Sequence, residues 1–152
     1  MRKAFFLALA VVGCSKAETP ADTTATVPPP PPAPAALTPA QVAGTWTGTS
    51  KREGTDSIVA FSVISTSDST GKVVIAGVKD TVTTTTRFDA DSMIVTSSAY
   101  KDPTAARNAP PVTFRSVGRL RDGKLVGTAN IMPAARPDTV LARVTWELTK
   151  AP

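Results

Sequence analysis

The chain is predicted to be all-β: an eight-stranded antiparallel up-and-down barrel preceded by a short helical turn. Valine, threonine and isoleucine dominate the chain beyond about residue 44, and apolar residues show no helical periodicity. Turn-forming residues recur at intervals of roughly 10–15 positions, the punctuation expected of short consecutive strands. Consecutive strands joined by short turns leave two unpaired sheet edges unless the first strand meets the last, so closure into a barrel is favoured. A two-sheet β-sandwich is the alternative arrangement of the same strands.

The helical turn is read from Leu37 to Gly44. Thr38 is placed as the N-cap, and Pro39 occupies the first helical position, where its missing N–H leaves nothing unsatisfied. Gln41 stands three residues after the cap and completes a Thr-x-x-Gln capping box, while Leu37 and Val42 are spaced to form a hydrophobic staple. Gly44 is expected to end the turn.

Eight strands follow, at about residues 44–50, 57–67, 71–78, 80–88, 91–100, 111–121, 124–132 and 139–149. The turns between them include Ser67-Asp68-Ser69-Thr70, Asp89-Ala90 and Asp122-Gly123. Asp-Gly suits a two-residue type I′ turn, in which both residues take positive φ. That turn sets a register by position alone: Arg121 opposite Lys124, Leu120 opposite Leu125, Arg119 opposite Val126, Gly118 opposite Gly127, Ser116 opposite Ala129, Phe114 opposite Ile131. One face then carries Phe114, Gly118, Leu120, Leu125, Gly127 and Ile131, and the other carries Arg115, Arg119, Arg121, Lys124, Thr128 and Asn130. A slip of one residue would mix the two sets, so the sorting supports the register. The Gly118–Gly127 pair leaves a gap on the inner face. Trp46 or Trp146 could cover it, or the glycines could mark a bend that lets the sheet close. The last strand sorts likewise, with Val140, Ala142, Val144, Trp146 and Leu148 opposite Thr139, Arg143, Thr145, Glu147 and Thr149.

The residues ahead of this region do not read as globular. Met1-Arg2-Lys3 is basic and Ala4–Val12 is an unbroken apolar run. Such a run is the layout of a secretory signal and is too short for a bilayer, which needs ~20 helical residues. It ends in Val11-Val12-Gly13-Cys14, which resembles the lipobox of bacterial lipoproteins. The resemblance implies a signal peptide over residues 1–13, cleavage before Cys14, and a diacylglyceryl group with an N-acyl chain on that cysteine; two or more chains anchor stably where one would not. With Ser15 rather than Asp after the cysteine, resemblance to enteric sorting rules suggests the outer membrane, the domain facing the periplasm. Residues 14–36 form the lipidated cysteine and a Pro/Thr-rich linker. Eight of the chain's 14 prolines lie between Pro20 and Pro39. This composition favours extended polyproline II at ~3.1 Å per residue, a spacer between lipid and domain.

Gly44-Thr45-Trp46 follows the helical turn and opens the first strand. It resembles the Gly-x-Trp motif of lipocalins and the Gly-Thr-Trp opening of avidin-type barrels, both calycins. The resemblance implies an eight-stranded ligand-binding barrel over about residues 37–150. A second lipocalin motif of the Thr-Asp-Tyr kind is missing. The arginine that lipocalins pack over the motif tryptophan has its nearest counterpart in Arg143, which strand parity puts on the outer face.

Composition narrows the chemistry. The chain has no histidine and one cysteine, so no intrachain disulfide and no Cys/His metal site can form. A nucleophile needs a base beside it, and the residues offer no such pair. Asp89 and Asp91 form an Asp-x-Asp pair without the rest of a calcium loop, as expected of hairpin residues. No enzyme activity, metal or other cofactor is expected beyond the lipid on Cys14. Net charge is +5, and loss of Arg2 and Lys3 with the signal leaves +3, too mild an excess to imply nucleic acid.

Two functions stand open. In the first, the inward-facing Trp46, Phe61, Phe114, Leu120, Leu125, Ile131 and Trp146, with Val59 and Val63, line a pocket for a small apolar or amphipathic ligand; small barrels either fill with side chains or hold one such ligand. In the second, the barrel is filled and serves as an envelope interaction module. Its basic face of Arg115, Arg119, Arg121 and Lys124 would then meet an anionic surface, unless that face is merely solvated, with Asp138 and Glu147 neutralising part of it.

Overall fold

The computed structural model describes residues 35–66 and 69–152. The signal segment, Cys14 and the linker up to residue 34 lie outside the described residues, as do Ser67 and Asp68 of the second turn. A single turn of helix, α1 (Pro39–Val42), precedes eight strands: β1 (Gly44–Arg52), β2 (Ile58–Ser65), β3 (Thr70–Ile75), β4 (Val82–Asp89), β5 (Ser92–Ser97), β6 (Val112–Arg121), β7 (Lys124–Pro133) and β8 (Ala142–Lys150). Each strand pairs antiparallel with its neighbours in sequence, and β1 pairs with β8, closing the barrel. The up-and-down barrel is therefore the architecture, and the sandwich is not.

The β6–β7 hairpin has the register that its turn dictates. Asp122 and Gly123 take φ of 51° and 76°, and Arg121 faces Lys124, Gly118 faces Gly127 and Phe114 faces Ile131. Asp89 pairs with Ser92, so the β4–β5 turn is Ala90-Asp91, shifted by one residue from the expected Asp89-Ala90. Ala90 takes the positive φ of 49°.

Three boundaries depart further from expectation. β5 stops at Ser97 rather than near residue 100, and residues 98–111 form a long connection in which only Tyr100 bridges back, to Val112. Pro103, Pro110 and Pro111 cannot donate to a ladder, which keeps this segment out of the sheet. β8 starts at Ala142 rather than near residue 139. Its partner β7 ends at Pro133, Ile131 is the last β7 residue paired with it, and Val140, expected to face inward, is exposed, as is its neighbour Leu141. β3 likewise ends at Ile75, before the turn at Gly77, where φ is 83°.

Strand direction divides the connections between the two ends of the barrel. At one end, the base, lie α1 and the β2–β3, β4–β5 and β6–β7 turns. At the other, the mouth, lie the β1–β2, β3–β4, β5–β6 and β7–β8 connections. The base is plugged. Leu37, Val42, Trp46, Met93, Leu125 and Leu148 form a buried cluster, with Phe88 and Leu120 packed against it. Burying side chains of this size contributes about 1.5–3 kcal/mol each, so the plug is a principal source of stability.

Local chemistry positions that plug. The Gln41 side-chain oxygen accepts from the Thr38 N–H at 2.8 Å and from the Thr38 hydroxyl at 3.0 Å. Leu37 and Val42 are buried together as the staple requires. The Leu37 N–H donates to the Ala90 carbonyl at 2.8 Å and ties the segment to the β4–β5 turn. The helix ends at Ala43, and Gly44 opens β1 with φ of 115°, a conformation that L side chains rarely adopt.

Candidate functional site: the barrel interior and its mouth

Above the plug the barrel is not filled. An internal cavity of about 140 Å³ runs from Trp46 and Leu148 at the base to Arg52, Ser57, Tyr100 and Asp102 at the mouth. Apolar cavities of ~150 Å³ in protein cores hold a molecule the size of benzene.

The interior alternation of each strand places the wall. Trp46, Phe61, Phe114, Leu125, Ile131 and Trp146 line the cavity, as do Val59 and Val63. Leu120 does not: it sits near the base end of β6 and packs against the plug instead. Six of the seven aromatic and aliphatic residues expected inside thus share one void.

Trp146 covers the Gly118–Gly127 gap. A Cβ on Gly118 would stand 2.6 Å from the Trp146 ring tip, and one on Gly127 would meet both that ring and the Val117 carbonyl. The indole N–H donates at 2.8 Å to the Ser116 hydroxyl, which donates in turn to the Thr128 carbonyl at 3.0 Å. The ring is therefore held against two glycine backbones, and it takes volume that would otherwise enlarge the cavity.

Trp46 is 2% exposed and forms the floor. Its indole N–H donates to the Val42 carbonyl at 2.8 Å, and the Lys150 ammonium stands 5.6 Å from its ring centre, in cation–π range. Gly44 lets Lys150 reach it: a Cβ on Gly44 would press on the lysine stem at 3.3 Å. Arg143 is exposed on the outer face, paired in register with Asn130. Lys150 lies one residue beyond the strand expected from sequence; β8 extends to it, and pairing of β1 with β8 sets it opposite Trp46.

The mouth was not legible from sequence. The β5–β6 connection folds over it, with Tyr100, Asp102, Pro103 and Thr104 lining the opening. Arg52, the last residue of β1, holds it there. Its guanidinium donates to an Asp102 carboxylate oxygen at 3.3 Å and to the Thr104 hydroxyl at 3.0 Å. The other Asp102 oxygen accepts from the Thr104 N–H at 2.8 Å and its hydroxyl at 2.7 Å. The Asp102 side chain is only 7% exposed, against 27% for Arg52. Gly77 leaves room for Pro103, whose Cβ lies 3.1 Å from where a Cβ on that glycine would be. Tyr100 packs edge-on against Phe114, with centroids 6.1 Å apart at 74°. Burial, aided by the nearby Asp102 carboxylate, pushes its phenol up to about 12.

The basic face is largely neutralised. Asp91 pairs with Arg119 at 3.2 Å and Arg121 at 3.5 Å, and Lys124 pairs with Glu147 at 2.7 Å. Of the two acids expected to do this, Glu147 takes part and Asp138 forms no ion pair among the described residues. Arg115 alone of the four cations forms none there. Asp91 is thereby committed to this face. A hydrogen bond from Ser92 and then the contact with Arg119 hold its carboxyl below the usual range. Among the described residues no group of three or more His, Cys, Asp or Glu side chains is placed to hold a metal.

Fold and site together define a closed eight-stranded antiparallel barrel, plugged at its base, with an apolar chamber reaching a polar mouth. Comparison of the chain with protein-family models, with curated proteins and with solved structures finds no match.

Proposed function

We propose that this protein is a membrane-anchored envelope lipoprotein whose barrel binds a small apolar or amphipathic ligand. The observation that carries the binding reading is the chamber: an apolar wall to which seven of the eight strands contribute, closed below by Trp46 and reached through a mouth of polar side chains. Concave, mostly apolar sites with a few convergent polar groups are where small molecules bind. The Gly44-Thr45-Trp46 motif lends support. Its tryptophan forms the barrel floor beneath the Lys150 ammonium, at the place where the resemblance to lipocalins implies an arginine. The anchor rests on the Val11-Val12-Gly13-Cys14 motif, which with the proline-rich spacer would hold the chamber off an outer-membrane surface.

The interaction-module reading draws less support, because three of the four cations on the basic face are engaged by Asp91 and Glu147. A titration of the unlipidated mature chain, Ser15–Pro152, with a small hydrophobic fluorophore tests the binding reading. Saturation near one probe per chain, with energy transfer from the tryptophans, is the expected result. A folded chain that shows no saturable binding would overturn it.

A further inference from the structure

The arrangement at the mouth bears on which headgroup the ligand carries, and this rests on the ligand-binding reading above. A guanidinium offers five N–H donors and an ionised carboxylate about four acceptor positions. Arg52 spends one donor on Asp102 and one on Thr104, whereas Asp102 has already accepted from Arg52 and twice from Thr104. Both side chains line the cavity, so this pair presents more spare donors than spare acceptors. Ser57 and Tyr100, also on the lining, add hydroxyls that can donate or accept. The ligand group that fits is therefore an acceptor.

Charge decides between acceptors. Arg52 is balanced by Asp102, so a carboxylate entering beside Arg52 would bring a second negative charge next to a carboxylate that is itself buried. Like charges brought together in a partly desolvated site repel strongly. A neutral acceptor pairs with the spare donors and adds no charge. We infer that the Arg52–Asp102 pair makes the chamber selective for small amphiphiles with an uncharged oxygen headgroup, such as an amide or alcohol, over the matching carboxylates. The short chamber sets the apolar part at about the size of a benzene ring or a short alkyl chain.

The test uses the mature chain Ser15–Pro152 and four probes: benzene, 1-hexanol, hexanamide and hexanoate, at neutral pH. The readout is the indole N–H resonance of Trp146, which lines the chamber. Hexanamide and 1-hexanol are expected to bind at least about tenfold more tightly than hexanoate. An apolar cavity disfavours any carboxylate through desolvation, so the deciding comparison is Asp102→Asn. This change removes the competing charge and leaves Arg52 in place, and hexanoate is expected to gain at least about tenfold relative to benzene. In Arg52→Met, hexanamide is expected to fall to the affinity of a probe without a headgroup. Hexanoate binding as well as hexanamide to the unaltered chain would overturn the inference, as would an unchanged preference in a folded Asp102→Asn or Arg52→Met chain. Benzene binding without headgroup preference would overturn this inference alone; no binding by any probe would overturn the binding reading with it.

Discussion

The indole N–H of Trp46 donates to the main-chain carbonyl of Val42 at 2.8 Å, joining the floor of the barrel to the end of the helical turn α1. A helix leaves its last carbonyls unpaired, and a buried unpaired carbonyl is costly. Here the residue that fills the base also satisfies the backbone that enters it. Trp46→Phe keeps an aromatic ring but deletes the donor and part of the volume. Its expected cost is about 2–4 kcal/mol in urea unfolding, from the stranded carbonyl plus the lost packing. A cost below about 0.5 kcal/mol, as for a surface change, would contradict the role.

The two inner glycines of β6 and β7 oppose the same ring for different reasons, and a double-mutant comparison separates them. At Gly118 a Cβ meets only side chains, the Trp146 ring and the Met93 methyl; at Gly127 it also meets the Val117 carbonyl. Overpacking of this kind costs typically about 1–3 kcal/mol. Gly118→Ala is expected to recover much of its loss when combined with Trp146→Phe, whereas Gly127→Ala is not, because backbone does not yield. Equal recovery at both positions in denaturant melts would show that the ring is the only obstacle.

Much of this was legible in the sequence, for identifiable physical reasons. An Asp-Gly turn has one preferred geometry, so the β6–β7 register follows from counting, and alternation then tells inside from outside. The cap, proline and staple around Thr38, Pro39 and Leu37 are local signals that need no tertiary information. The mouth was invisible because it depends on contacts across long separations. Arg52 reads as a strand-end cation and Asp102 as a loop residue until closure of the barrel brings them together. The same limit hid Lys150 over Trp46 and let Asp91, taken only as a hairpin residue, organise the basic face.

Tyr100 is the chain's only tyrosine, so an ultraviolet titration of phenolate reads it alone. In the folded protein it should ionise near about 12 rather than at its usual 10.0. The folded pKa is the higher one, so the associated stability is complete below the unfolded value of ~10 and is lost as pH rises from there towards about 12; it amounts to roughly 2–3 kcal/mol. Ionisation near 10 in the folded chain would mean that the phenol at the mouth is not buried.

Asp91 gives the opposite pH dependence. Its folded pKa is lowered, first by the Ser92 hydrogen bond and then by Arg119. Its contribution is therefore present above the unfolded carboxyl value of ~3.9 and lost as pH falls through the folded one. Asp91→Asn should be less stable than the unaltered protein at neutral pH, and the difference should close in acid. The same change releases Arg119 and Arg121, so binding to anionic lipid vesicles should rise and weaken with salt. Vesicle binding that is already strong and indifferent to Asp91 would favour the basic face as the working surface.

The chamber itself is tested most directly by adding benzene to the isotopically labelled mature chain and following the two indole N–H resonances together with the methyl groups of Val63 and Ile131, both on the chamber wall. A ligand-binding chamber should give saturable shifts at Trp146, Val63 and Ile131 near one benzene per chain. The exposed outer-face methyls of Ile58 and Val74 should stay in place. Shifts confined to the outer face, or none at all in a folded chain, would mean that the barrel is filled and would contradict a ligand-binding role.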